Sequence, residues 1–193
     1  NDELRPVMSG VYMELENNII RLVSTDAHKL VRYENNLESE TTNSTSCIIP
    51  KKPLQLIKNT INGKNDTIKI EYNNTNIIFS FQTMKIYCRL IDGNYPNYNA
   101  VIPKENAHQL DIDRNTLLNS LKRVCIFSNQ TTYQVKFKIT GNEMRISGED
   151  VDFSNKAIET MKCEYSGQDI EIGFNGKFLI EILNTLETEK IHM

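Results

Sequence analysis

No stretch of this 193-residue chain stays apolar for more than about four residues, far short of the ~20 that a membrane-spanning helix needs. The first residues, Asn1-Asp2-Glu3-Leu4-Arg5, lack the basic-then-apolar pattern of a secretory signal, and no initiator Met precedes them. A membrane-spanning or secreted protein is therefore not expected. The expected location is the cytoplasm, and Asn1 is not expected to be the natural start. Cysteines are few: Cys47, Cys88, Cys125 and Cys163 are scattered and form no C-x-x-C pair. Metal and redox sites need closely spaced ligands, so buried free thiols in a reducing compartment are expected. The sequons Asn43-Ser44-Thr45 and Asn129-Gln130-Thr131 are then chance matches. Also missing are G-x-G-x-x-G, the P-loop, G-x-S-x-G and H-E-x-x-H. No cofactor, no metal and no catalytic residue are expected.

What the chain does contain is the composition of a globular protein: 39% apolar and 24% charged residues, with a net charge of −3 and a mean hydropathy of −0.45. One or two domains are expected at this length. Period-2 alternation dominates, with Ile68, Ile70 and Tyr72 on one face of a run, then Met84, Ile86, Cys88 and Leu90, then Val135, Phe137 and Ile139. Asn62-Gly63, Asn73-Asn74, Asp92-Gly93-Asn94 and Gly141-Asn142 bound these runs as turns, because Asn and Gly tolerate positive φ. The pattern predicts roughly ten mostly antiparallel strands, with the polar stretch Asn35 to Ser46 as a loop. Three segments change to helical period. Pro50 to Asn62 aligns Leu54, Ile57 and Ile61. A segment capped by Asp113 aligns Leu117, Leu118, Leu121, Val124 and Cys125. Asn175 to Leu186 aligns Phe178, Leu179, Ile182 and Leu186. Few helices among many hairpins indicate an α+β fold with helices packed on one face of antiparallel sheets.

The sequence also repeats itself. Val11 to Leu22 lies over Val135 to Ile146 at an offset of 124, and Leu54 to Ile61 over Leu179 to Leu186 at 125, with Asn59-Thr60 matching Asn184-Thr185. Residues 1–103 and 104–193 are expected to form two domains of one kind. The segment Lys104 to Gln130 has no counterpart ahead of residue 1, and Ile68 to Pro103 has none after residue 190. Each expected domain thus lacks a part that the other holds, as in a chain cut at both ends.

Charge is unevenly spread. Pro50 to Lys64 contains Lys51, Lys52, Lys58 and Lys64 and no acid, and Arg114 to Gln130 contains Arg114, Lys122 and Arg123 and no acid. The rest is acidic. Lys51, Lys52, Gln55, Lys58 and Asn59 form one polar arc on a helical wheel, and Asn115, Asn119, Lys122 and Arg123 another. Such arcs either follow phosphates without reading sequence or are ordinary solvated faces. Ile126 and Phe127 fall outside the apolar stripe, which suggests a protein contact or a loop folded over them. Asp26 and His28 share a face of an extended stretch and could be drawn as an acid–base pair. No nucleophile can be named beside them, so a structural turn is the preferred reading.

Several segments together resemble one family, the bacterial sliding clamp, the beta subunit of DNA polymerase III. Val23-Ser24-Thr25-Asp26-Ala27-His28-Lys29-Leu30 is similar to its "ATDGHRLA", Ile48-Ile49-Pro50-Lys51-Lys52 to "IVPRK", and Arg89 to Tyr98 to "KLIDGRFPDY". Tyr165-Ser166-Gly167 with Ile172-Gly173-Phe174-Asn175 is similar to "YSG…IGFN". The motifs run in family order across nearly the whole chain.

The resemblance implies repeated clamp domains: a middle domain at 1–103 lacking its first strand and helix, and a C-terminal domain at 104–193 lacking its last strands. It implies a processivity factor without catalysis, whose head-to-tail dimeric ring encircles double-stranded DNA with helices on the inner face. The replicative polymerase, the clamp loader and other proteins carrying a clamp-binding motif would dock a short peptide into an apolar cleft between the domains. That cleft would include Met8, Thr25, Ala27, His28, Lys29, Leu30, Pro96, Val101, Asn175 and Phe178. Arg5, Lys51, Lys52, Lys58, Arg114, Lys122 and Arg123 would face DNA, and Ile126 and Phe127 the ring interface. Ala27 departs from the family's Gly, Ala100 from a common Arg and Thr132 from a common aromatic. The family's C-terminal tail would lie beyond Met193, so reduced peptide affinity is expected. The alternatives are a repeated β-rich binding module unrelated to replication and an enzyme using Asp26 and His28.

Overall fold

A computed structural model describes residues 5–37, 44–61 and 67–193. The chain divides into two compact units, Asn1–Val101 (unit 1) and Ile102–Met193 (unit 2).

Unit 1 begins with a 3-10 turn, Pro6–Ser9, followed by β1 (Gly10–Glu16), β2 (Ile19–Thr25), β3 (Leu30–Asn36) and β4 (Thr45–Pro50). These four form one sheet in the order β3-β2-β1-β4. Helix α1 (Lys51–Thr60) comes next, then β5 (Lys69–Tyr72), β6 (Asn76–Phe81) and β7 (Met84–Arg89), which make a second sheet in sequence order. Met13, Ile49, Ile57, Ile77, Phe79 and Phe81 are buried together, so the core lies where α1 and the two sheets meet.

Unit 2 contains β8 (Gln109–Asp113), α2 (Arg114–Val124), β9 (Gln134–Thr140), β10 (Glu143–Asp150), β11 (Asn155–Lys162), β12 (Glu164–Ser166), β13 (Ile170–Asn175), α3 (Gly176–Thr185) and β14 (Lys190–His192). Its sheets are ordered β11-β10-β9-β13 and β12-β8-β14. Leu117, Leu121 and Val124 of α2 and Leu183 of α3 are buried against Val135, Phe137 and Ile146 of the larger sheet. Asp113 caps α2 by accepting the Thr116 N–H at 2.7 Å, and Asn175 caps α3 by accepting that of Phe178 at 3.2 Å.

The repeat seen in the sequence is carried by strand register. Met13 of β1 opposes Leu22 of β2 and Cys47 of β4. At the two expected offsets, Phe137 of β9 opposes Ile146 of β10 and Ile172 of β13. The hairpins turn at the same place, through Asn17 and Asn18 at φ 51 and 63 in unit 1 and through Gly141 at φ 55 in unit 2. Period 2 makes a slip of one residue exchange the faces of a strand, so matched registers mean matched inner faces.

Some expectations need correction. There are fourteen strands among the described residues rather than about ten, and every pairing is antiparallel. The three-residue strands β12 and β14 are too short to show a period. The stretch Asn35 to Ser46 begins inside β3 and ends inside β4. Residues 38–43 and the expected Asn62-Gly63 turn lie outside the described residues. Tyr72 and Met84, which share the apolar face of their runs in the sequence, are exposed at strand ends. In α3 the deepest residue is Leu183 at 3% exposure, whereas Leu186 follows the helix and is exposed, which turns the buried stripe by about one position.

Candidate functional site

The segment between β2 and β3 is a tight turn built around Asp26. Its Oδ1 accepts the backbone N–H of His28 at 3.0 Å and of Lys29 at 2.9 Å. Its Oδ2 holds the Lys29 ammonium at 2.7 Å. The Lys29 bond, followed by the backbone donors, lowers the Asp26 carboxyl to about 2 against partial burial. A carboxylate so engaged is no general base near neutrality, and the Asp26–His28 dyad is replaced by a structural turn. Thr25 Oγ1 closes the turn on the Lys29 carbonyl at 2.9 Å. Ala27 sits at φ 70, a conformation that favours glycine, which explains the Gly of the family motif at this position.

Beside this turn is a cavity of about 520 Å³ lined by Met8, Val11, Thr25, Lys29, Val31 and Lys51, among others. Three of the expected cleft residues, Met8, Thr25 and Lys29, therefore share one cavity. Leu30, Pro96 and Val101 do not line it, and Val101 is 70% exposed. Ala27 and His28 are exposed on the turn. Asn175 and Phe178 belong to unit 2, where Asn175 is a helix cap whose Nδ2 also donates to the Thr132 carbonyl at 3.0 Å. Sequence reasoning missed Val11 and Val31 as wall residues and assigned Lys51 to DNA alone. The only signal for Val11 and Val31 was their alternation in β1 and β2–β3.

The segment after β7 is anchored on the face of β1 that points away from the core. The Tyr95 ring stacks on Tyr12, with centroids 4.9 Å apart and planes within 9°. Tyr98 lies in a 3-10 turn, Tyr98–Ala100. It is buried, and its hydroxyl donates to Glu14 at 2.9 Å. Glu14 in turn meets Arg21 at 3.4 Å, and Arg21 also meets Glu16 at 3.4 Å and Glu34 at 3.2 Å. Burial pushes the Tyr98 hydroxyl up, and its bond to the Glu14 carboxylate adds to the shift.

The basic arcs differ in what their charges do. Lys51, Lys52, Gln55, Lys58 and Asn59 of α1 are exposed, and none of the three lysines is ion-paired to a described residue. Lys122 of α2 is exposed too. Arg123, by contrast, grips Glu159 of β11 through two bonds, one of them Nη2 to Oε2 at 2.6 Å. The Arg123 guanidinium holds the Glu159 carboxyl below the usual range. Arg114 donates to the carbonyls of Thr188 at 2.8 Å and Leu183 at 3.1 Å, tying the start of α2 to the end of α3. Arg5 is exposed just ahead of the first 3-10 turn. Ile126 and Phe127 are 69% and 40% exposed in a 3-10 turn, Cys125–Phe127, that follows α2.

Among the described residues no group of three or more His, Cys, Asp or Glu could hold a metal ion. The four cysteines are free thiols, and burial pushes that of Cys47 up to about 11. No helix among the described residues is long and apolar enough to cross a membrane.

Two units built on one sheet plan define a protein of repeated domains. Residues 1–97 match the family model for the central domain of the DNA polymerase III beta subunit, and residues 99–193 match the model for its C-terminal domain. The chain belongs to the DNA polymerase III beta subunit family. Among curated relatives, the chain is 26% identical to the beta sliding clamp of Escherichia coli and 25% identical to that of Haemophilus influenzae. In each case the similarity covers 100% of this chain and 52% of the relative. The chain thus spans about half the length of the relatives it matches. Among solved structures, the beta subunit of Thermotoga maritima aligns over 100% of this chain and 52% of its own, at 30% identity and a TM-score of 0.89. A sliding clamp of Pseudomonas aeruginosa bound to griselimycin shares the fold, at 22% identity and a TM-score of 0.92, over 100% of this chain and 52% of its own.

Proposed function

We propose that this chain supplies the central and C-terminal domains of a sliding clamp, a processivity factor whose head-to-tail ring encircles double-stranded DNA in the cytoplasm. The observation that carries this reading is the ordered match of two successive clamp-domain models to the two halves of the chain. The exposed lysines of α1 and Lys122 of α2 support it, since charges without an internal partner can follow phosphates while leaving sequence unread. Arg114 and Arg123, spent on internal bonds, act in that surface through the helix they hold rather than as phosphate ligands. Arg5 is a further exposed cation, just ahead of the first 3-10 turn.

Residues 1–103 would be the middle domain, completed by a strand and helix of the β8–α2 kind. In unit 2 the strand after α3, β14, pairs with β8, which leads into α2. In unit 1 the strand after α1, β5, is a sheet edge among the described residues, and Leu56 of α1 is 57% exposed. A strand along β5 and a helix over Leu56 fit both facts. Ile126 and Phe127 would face the neighbouring subunit. The polymerase, the clamp loader and other partners would insert an apolar peptide side chain between Met8, Val11 and Val31 beside the Asp26 turn, and the rest of the peptide would run outside that cavity along Leu30, Pro96 and Val101. Anchors of this kind carry most of the affinity of a groove.

The test is retention of the assembled protein on nicked circular DNA. A ring stays on the circle at salt that removes simple phosphate contacts and leaves once the DNA is linearised. Retention indifferent to linearisation, or tight binding confined to one sequence, overturns the reading.

A further inference from the structure

We infer that Tyr98 and Glu14 are positioning residues for peptide docking, holding the segment that presents Pro96 and Val101 at one fixed height above the sheet. The inference rests on the proposed clamp reading and adds to it the device that shapes one wall of the docking surface. The segment from Ile91 to Val101 contains one isolated bridge, Ile91 to Ile48, and no strand of its own. Beyond that bridge it is held by side chains. Tyr95 lies flat on Tyr12, and Tyr98 reaches the same ring at 6.2 Å and a 59° tilt. The Tyr98 hydroxyl then donates to Glu14. Tyr12 and Glu14 are two residues apart on β1 and so share the face opposite Met13 and Leu15, which are in the core.

The far end of the hook is equally fixed. Arg21 opposes Glu14 across the β1–β2 ladder, and Glu34 opposes Arg21 across β2–β3. One guanidinium thus ties Glu14 to the strand that begins at Leu30, the other expected docking segment of unit 1. A phenol donating to a carboxylate makes a stronger bond than a neutral pair, and it is directional. Val101, whose N–H closes the turn on the Tyr98 carbonyl at 3.2 Å, moves with Tyr98. Releasing the hydroxyl would leave Pro96 and Val101 on a segment free to shift. A peptide would then have to order that segment on binding, which lowers affinity without removing a contact.

The experiment titrates the full chain with a synthetic peptide holding a Gln followed by spaced leucines and a Phe. Duplex DNA binding and thermal stability are measured alongside. Tyr98→Phe keeps the ring and its packing and removes only the hydroxyl, so about a 5–10-fold loss of peptide affinity is expected with DNA binding unchanged. Glu14→Leu, which also releases Arg21, should lose at least as much, and the double variant should lose no more than Glu14→Leu alone, since the Tyr98 bond is already broken there. Glu14→Gln retains an oxygen acceptor for the hydroxyl and should recover most of the affinity. Amide signals of Ala100 and Val101 should broaden in Tyr98→Phe. Variants that bind the peptide like the parent, or that lose peptide and DNA binding together, overturn the positioning role. A parent chain that takes no peptide at all overturns the docking reading itself, an outcome distinct from the other two.

Discussion

In unit 2 two helices pack together over one sheet, whereas α1 is the sole α-helix among the described residues of unit 1. The consequence is read in burial. Leu117, Leu121 and Val124 of α2 are fully buried, together with Phe137 and Ile146 beneath them. In unit 1 the comparably buried residues, Met13, Val23, Ile49 and Ile77, all come from strands. The position that is Lys51 in α1 is Gly176 in α3. A Cβ there would press on Cys125 Sγ and come within 3.1 Å of Val135. The turn that follows α2, together with the sheet beneath it, therefore decides which residue α3 can begin with, although the strand registers are the same.

The largest test of this contrast is a pair of core truncations. Leu121→Ala should destabilise unit 2 by about 3–5 kcal/mol, and Ile57→Ala should cost unit 1 about 2 kcal/mol, because a less enclosed site collapses more readily. Urea unfolding followed on NMR signals from each unit separates the two, and equal costs would break the comparison.

The charge contrast gives the next test. Replacing Lys51, Lys52 and Lys58 together by Gln should weaken duplex binding at least about tenfold, evenly across sequences. It should also lower the slope of log affinity against log salt by about 0.9 per lysine. Arg123→Gln should leave DNA binding nearly unchanged, since its charge is already matched by Glu159. A larger effect from Arg123 than from the α1 lysines would reverse the assignment. Smaller still is Ala27→Gly, expected to stabilise unit 1 by up to about 1 kcal/mol by relieving the positive φ. Thermal melts would show it, and a loss of stability would mean that chain entropy outweighs the strain.

The smallest effect is a pH dependence. Asp26 falls from the ordinary 3.8 to about 2 in the folded protein. Its contribution is therefore present above about pH 4 and is lost as the pH falls through 2. Because Asp26 is half-exposed, the contribution is about 0.5 kcal/mol or less after solvent screening. Titrating the Asp26 side-chain carbon signal checks the direction, and a midpoint at or above 3.8 would remove the turn's electrostatic support.

Much of this was legible in the chain because it is local. The Asp113 cap, the apolar stripe of α2 and the alternation of Val135, Phe137 and Ile139 are fixed by neighbours a few residues away. The repeat offsets, set by short motifs, anticipated which strands would pair alike. What stayed hidden depends on distant partners. Arg123 meets Glu159 from 36 residues away, so its charge looked as available as that of Lys58. Val31 and Lys51 line a cavity with Met8 because three strands and a helix meet there, and no periodicity reports such a meeting. Tyr98 and Glu14 are 84 residues apart, and neither looks unusual in the sequence.

The shared register also bears on how the chain finds its fold. A crossed sheet, with β13 taken up beside β1 in place of β4, could satisfy the backbone bonds of the ladder as well as the native pairing does. Discrimination must come from side chains alone, such as Cys47 against Met13 where the other repeat sets Ile172 against Phe137. Duplicated units are prone to this kind of misassembly when both are unfolded at once. Synthesis from the ribosome removes the hazard, because β1 to β4 can close before β13 emerges. Refolding from denaturant restores it, and a slow, concentration-independent phase there would be the trace of strands exchanging partners.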